Sequence, residues 1–132
     1  MDRARLEAFP LFAGLAPDEL EALAGVASEV DAAEGQRLAA EGDFGHALYA
    51  IETGTTDVSR DGEAVRTLGP GDVFGEVAVL ASGRRTATVT ATSPMTLIAV
   101  FKRDVWRLEQ RSPAAAERLR GLVADRLAGQ TS

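Results

Sequence analysis

The stretch GDVFGEVAVLASGRRTATV, residues 71–89, decides how the rest of this chain is read. A glycine-rich turn, Gly69-Pro70-Gly71, leads into it, and a Thr/Val-rich segment of strand character closes it. Between them, Gly75-Glu76-Val77-Ala78-Val79-Leu80 is an apolar run holding a single acid, bounded by Gly75 on one side and Ser82-Gly83 on the other. Six residues make about one and a half helical turns. A short helical turn that feeds a strand is therefore expected here, in a neighbourhood that is otherwise β-rich.

Working outward, turn punctuation recurs throughout residues 28–101: Glu34-Gly35, Glu41-Gly42-Asp43, Gly54, Asp61-Gly62, Gly69-Pro70-Gly71, Ser82-Gly83 and Ser93-Pro94. HALYAIE, TTDVSR, AVRTL, TATVTA and TLIAVF lie between these turns as short strand candidates. Asp61-Gly62, flanked by Val58/Arg60 and Val65/Thr67, is a hairpin signature. Residues 3–27 read as helix, with Pro17-Asp18-Glu19 suited to a first turn: proline loses only an orphan donor there, and acids favour the positive helix end. Phe9, Leu11, Phe12 and Leu15 form an apolar cluster ahead of it. From Lys102 a helical pattern returns, Ser112-Pro113 suits an N-cap followed by proline, and Leu119, Leu122, Val123 and Leu127 share a stripe. Trp106, near Val105 and Leu108, is expected to pack between the last helices and the strands. Helix, many strands, then helices predicts an α+β fold: one domain over 1–132, with N-terminal helices at 1–27, an antiparallel, jelly-roll-like β-roll of about eight strands at 28–101, and C-terminal helices at 102–128.

The composition excludes several classes of function. The 132 residues hold no cysteine, so disulfides, thiolate metal sites and thiol nucleophiles are absent. Aromatic residues make up 5%, too few for stacked platforms that grip single-stranded nucleic acid. No apolar run approaches the roughly 20 residues of a membrane span, and MDRARLEAFPLF lacks the apolar centre of a secretory signal; a cytoplasmic protein is expected. The formal charge of −6 divides into −9 over residues 1–101 and +3 over residues 102–132. An acidic body repels nucleic acid, and the basic C-terminal segment reads as a solvated helix face. His46 is the single histidine, with no nucleophile or metal-ligand set around it, so neither an enzyme nor a metal site is expected.

The chemistry concentrates in residues 74–89. A helix N-terminus offers unpaired N–H groups to an anion, and Gly75 allows close approach to the backbone. Arg85 follows Glu76 by nine residues, at the start of a strand, and can point back into the same volume. Its guanidinium matches two phosphate oxygens, while Glu76 is an acceptor suited to a sugar hydroxyl. A ligand carrying both on one ring is a ribose cyclic phosphate. Arg84 is expected to be exposed.

These residues resemble the phosphate-binding cassette of the cyclic nucleotide-binding domain family, whose pattern is Phe-Gly-Glu-aliphatic-Ala, a spacer, then Arg-(Ser/Thr/Ala)-Ala-x-Val. Here it reads Phe74-Gly75-Glu76-Val77-Ala78, six residues, then Arg85-Thr86-Ala87-Thr88-Val89. Glu41 to Gly45, Leu48 to Gly54, Leu68 to Asp72 and the lead-in FPLFAGLAPDEL resemble the family's other landmarks, so the resemblance covers nearly the whole chain. His46 departs from it, standing where the family often has an acidic or amide residue. The resemblance implies a short phosphate-cassette helix and C-terminal lid helices, with Glu76 on the ribose 2′-hydroxyl, Arg85 on the cyclic phosphate, backbone amides of Gly75, Val77 and Ala78 assisting, and Thr86 giving a further hydroxyl. Leu119, Leu122 or Arg118 would cover the base. The ligand implied is cyclic AMP, with cyclic GMP the other choice, and no cofactor or metal. Binding would pull the cassette inward and shift the C-terminal helices onto the roll, regulating an attached effector domain or a partner protein. A DNA-binding regulator of this family continues into a helix-turn-helix, and no second recognition helix follows here; a stand-alone sensor or one domain of a longer protein is expected. The alternative is a ligand-free β-roll that docks a partner through Leu119, Leu122, Val123 and Leu127.

Overall fold

The structure, a computed structural model, describes residues 1–80, 84, 85 and 87–130. Thr86 and the Ser82-Gly83 turn lie outside the described residues. The N-terminal helices are α1 (Arg3–Glu7) and α2 (Pro17–Ala24), with a 3-10 turn (Pro10–Gly14) between them. The prolines explain the breaks: each lacks an N–H and holds its predecessor extended, Phe9 at ψ 125° and Ala16 at ψ 159°. Pro17 opens α2, and Glu19 reaches back to accept the Ala16 N–H at 2.7 Å.

Eight strands follow: β1 (Ser28–Ala32), β2 (Arg37–Ala39), β3 (Ala47–Thr53), β4 (Thr56–Arg60), β5 (Glu63–Leu68), β6 (Val73–Phe74), β7 (Thr88–Ala91) and β8 (Met95–Phe101). They form two four-stranded sheets, ordered β1-β8-β3-β6 and β2-β7-β4-β5, with antiparallel pairing throughout. The Asp61-Gly62 turn joins β4 to β5 with φ 54° and 80°, both left-handed, the geometry that matches strand twist in a two-residue hairpin.

β3 and β8 are the central strands of the first sheet and are covered on both faces. Leu48, Ala50, Ile98 and Val100 face the helices, whereas Ile51 and Leu97 face the second sheet. That double burial is why ALYAI and LIAVF read as nearly unbroken apolar runs. Two cores result, one between the first sheet and the helices and one inside the roll.

The chain leaves β8 directly into α3 (Lys102–Arg111), where Asp104 accepts the Phe101 N–H at 2.9 Å, and then into α4 (Pro113–Gln130). Ser112 caps α4 by accepting the Ala115 N–H at 3.2 Å. Ala115, Ala116, Leu119 and Val123 bury the inner stripe of α4. Arg118 ties it to α2 through Glu19, Nε to Oε1 at 2.9 Å. Trp106 corrects the expectation made for it: 63% of it is exposed. The buried stripe of α3 is Asp104, Val105 and Leu108, and at about 100° per residue Trp106 projects away from it. The buried Leu119 and Val123 likewise leave no open Leu119/Leu122/Val123/Leu127 stripe for a partner, because this chain's own helices occupy it.

Candidate functional site

β6 delivers the chain to Gly75, whose φ of 80° is left-handed. A side chain there would be strained by that φ and would also strike Arg85 Nη1 and the Ala47 carbonyl, so glycine is required twice over. Gly75 begins a 3-10 turn, Glu76–Ala78, held by i to i+3 bonds from the Ala78, Val79 and Leu80 N–H groups at 3.1–3.2 Å. The turn is tighter than an α-helix, and the Ala78 N–H is already used by the Gly75 carbonyl at 3.2 Å. The amides free of intrahelical partners are those ahead of it.

Arg85 is brought in from the other side by its backbone, which bonds Asp43 and Gly42 at 2.6 and 3.0 Å. It is 7% exposed. Nη2 donates to the Ala47 carbonyl at 2.9 Å, and Nη1, buried against Gly75, has no acceptor among the described residues. Burial pushes the Arg85 pKa down, opposed by the fields of Tyr49 and Glu76. An arginine so placed still holds its proton, so the site contains a desolvated cation with one idle donor nitrogen.

Glu76, also 7% exposed, completes the polar end. Its Oε2 accepts from Arg126 Nε at 3.0 Å, and Arg126 Nη2 donates to the Val73 carbonyl at 3.2 Å. Gly75, Glu76, Val77 and Arg85 line one cavity of about 440 Å³, within the range of small-molecule sites. Ala39, Val58, Leu68, Phe74 and Val89 of the roll interior form its apolar wall. The β4–β5 hairpin contributes Arg60, Val65 and Arg66, and α4 contributes Leu127. Tyr49 stacks on Phe74 behind this wall at 5.2 Å between ring centres, and its burial raises its pKa.

The structure thus brings Gly75, Glu76, Val77 and Arg85 to one cavity, with Ala78 buried just behind it. Thr86 lies outside the described residues. Arg84 is exposed: Nη1 donates to the Gly42 carbonyl at 2.8 Å and the guanidinium sits 4.6 Å over the Phe44 ring. His46 is exposed in the turn before β3, and its carbonyl accepts the Lys102 N–H at 3.0 Å. Among the described residues no cluster could hold a metal ion. Leu119, Leu122 and Arg118, expected over the base, do not line the cavity. Leu119 is buried among the helices, Leu122 packs beside Gly14, and Arg118 is held by Glu19.

Sequence reasoning missed Arg126 altogether and missed the place of Leu127 at the cavity. Leu127 was visible as the far end of the α4 stripe, where the buried face runs past the helical core toward the roll. Arg126 carried no local signal, being 50 residues from the acid it meets.

Fold and site together are thus a two-sheet roll with a buried guanidinium, an acid and a glycine turn at one cavity of small-molecule size. Residues 29–112 match the family described as Cyclic nucleotide-binding domain. The chain is 37% identical over 123 residues to the Cyclic AMP receptor protein of Thermus thermophilus, covering 89% of this chain and 57% of that protein. Among solved structures it resembles Thermus thermophilus Catabolite Activator Protein, with 34% identity and a TM-score of 0.73 over 92% of this chain and 60% of that one. It also resembles the N-terminal domain of a transcriptional regulator from Streptomyces coelicolor, with 31% identity and a TM-score of 0.78 over 98% and 95% of the two chains. The chain belongs to the cyclic nucleotide-binding domain family, a family of regulatory rather than catalytic modules. It spans a little over half of the length of the first of these relatives. No helix among the described residues is long and apolar enough to cross a membrane.

Proposed function

We propose that this protein is a cytoplasmic sensor of a 3′,5′-cyclic nucleotide, cyclic AMP, bound in the 440 Å³ cavity between the roll, the Gly75 turn and the end of α4. The observation that carries the reading is Arg85: a buried cation at the cavity wall whose Nη1, packed against Gly75, has no acceptor among the described residues. An unsatisfied buried donor costs about 1–3 kcal/mol, more when charged, and a phosphate oxygen bound in the cavity relieves it.

In this reading the cyclic phosphate takes Arg85 and the leading amides of the turn at Gly75 and Val77, Glu76 accepts the ribose 2′-hydroxyl, and Thr86 adds a hydroxyl. Ala78, whose N–H is engaged within the turn, serves to pack it. The purine lies along the apolar wall under Leu127. The adenine form is favoured by the name of the 37% identical relative, Cyclic AMP receptor protein. A ligand that binds better when the last turn of α4 is seated raises the population of that arrangement, which is the signal passed to an effector domain or partner protein.

Isothermal titration with cyclic AMP and cyclic GMP tests this. Saturable one-to-one binding with cyclic AMP the tighter is expected. Absence of heat with either at high micromolar concentration refutes the reading, and tighter cyclic GMP refutes the base assignment.

A further inference from the structure

Helix α3 carries four cations, Lys102, Arg103, Arg107 and Arg111, against two acids, Asp104 and Glu109. Both acids are engaged within the chain: Asp104 is buried and accepts the Phe101 N–H, and Glu109 pairs with Arg120 at 2.8 Å. The outward face is therefore basic, and the exposed Trp106 lies at its centre. Residues three and four apart are neighbours on a helix, so Lys102 and Arg103 flank the indole on one side and Gln110 on the other. Among the described residues no ion pair reaches Lys102 or Arg103. The Arg103 guanidinium sits 5.0 Å over the Phe101 ring, and Arg107 approaches the buried Asp104 no closer than 3.9 Å. This arrangement is costly to the helix. Cations in a first turn oppose the helix dipole, and Arg103 and Arg107, four residues apart, repel one another. A large exposed aromatic among uncompensated like charges is a place where local preference and the isolated fold disagree.

We propose that this face of α3 is a docking surface for a short acidic segment of a partner protein, whose carboxylates pair with Lys102, Arg103 and Arg107 while an apolar side chain packs on the Trp106 indole. Charge complementarity selects that occupant. Guanidinium forks match carboxylates in pairs, and tryptophan and arginine are the residues that most often anchor interfaces. The same face of a second copy would set cation against cation. A lipid surface or a nucleic-acid duplex is an extended polyanion that would also meet residues 1–101, whose formal charge is −9. A short segment stays on the helix, which is about 15 Å long. Such a contact is smaller than the roughly 800 Å² per partner of a stable interface, so it is transient and salt-sensitive. None of these residues lines the 440 Å³ cavity, and the proposal stands independently of the cyclic-nucleotide reading.

The test uses the full chain without nucleotide, and Trp106, its single tryptophan, as a reporter. The probe is a short synthetic helical peptide of glutamate and leucine, labelled for fluorescence anisotropy, beside a counterpart with glutamine for every glutamate. The acidic peptide is expected to bind saturably at about 100 μM or tighter at low salt and to shift the Trp106 emission to the blue. Its affinity should fall at least about tenfold at about 1 M salt, where the screening length is about 3 Å. Arg103→Glu and Trp106→Ala change exposed side chains, so thermal unfolding should match the parent, and each should weaken the peptide by about tenfold or more. The glutamine peptide should not bind. An acidic peptide that does not bind, or that both variants bind as the parent does, overturns the proposal. Phosphatidylserine vesicles or duplex DNA that shift the emission where the peptide does not would assign the face to a lipid or nucleic-acid surface, overturning it. A parent that self-associates in sedimentation while Arg103→Glu stays monomeric would assign the face to a second copy, overturning it as well.

Discussion

Replacing Arg85 by alanine separates binding from folding, and its size follows from the structure. Among the described residues the side chain makes one hydrogen bond, Nη2 to the Ala47 carbonyl, while Nη1 finds no acceptor. Truncation leaves the Ala47 carbonyl without that donor, costing about 1–3 kcal/mol, but removes a buried, half-satisfied cation, which offsets part of it. Stability should change by no more than about 1–2 kcal/mol. Binding is different. The phosphate would enter the same pocket with no guanidinium to meet it, and leaving a buried charge unpaired costs about 2–5 kcal/mol. That range corresponds to a loss of affinity of about thirtyfold to several thousandfold. Thermal unfolding reads both effects at once. With cyclic AMP at 100 times the parent's dissociation constant, the parent should gain about 2.7 kcal/mol, a rise of about 10 °C for a domain of this size. Arg85→Ala should melt near the parent without nucleotide and gain at most about 0.9 kcal/mol with it, a third of the parent's gain, falling to almost nothing at the larger affinity losses. A variant that keeps the full ligand-induced rise would refute the role of Arg85; one that fails to fold would refute the division between stability and binding.

Other expected outcomes follow the same lines. Glu76→Ala should weaken cyclic AMP binding by about 1–3 kcal/mol, less than Arg85→Ala, as measured by calorimetry. Leu119→Ala should destabilise the fold by about 2–5 kcal/mol because Leu119 is fully buried, whereas Leu127→Ala, at the cavity, should act chiefly on affinity; denaturant midpoints with and without nucleotide distinguish them. Glu19 accepts the Ala16 N–H and pairs with Arg118, which lowers its pKa. Its contribution to stability is therefore present above the ordinary glutamate range and lost as the pH falls through its lower folded value. Glu19→Gln should flatten the acid limb of melting temperature against pH relative to the parent.

The residues that the sequence made legible are those whose roles are set by near neighbours. Asp61-Gly62 announces its hairpin because only residues tolerant of positive φ suit that turn. Ser112-Pro113 announces a helix start because capping is decided within four residues. Gly75, Glu76 and Arg85, which line one cavity, were legible as a group because they fall within a dozen positions of one another. Pro17 announced the start of α2 because proline suits a first turn, whereas the 3-10 turn opened by Pro10 was not read from the sequence. Trp106 misled because aromatic residues beside Val and Leu are usually buried, whereas the phase of α3 was fixed by Asp104, Val105 and Leu108. Arg126 was beyond reach because its partner is chosen by how α4 crosses the roll.

Crystals grown with cyclic AMP would test the central claim most directly. The account predicts the cyclic phosphate within hydrogen-bond distance of Arg85 Nη1 beside Gly75, and the 2′-hydroxyl on Glu76. A nucleotide bound elsewhere, or phosphate oxygens turned away from Arg85, would contradict it.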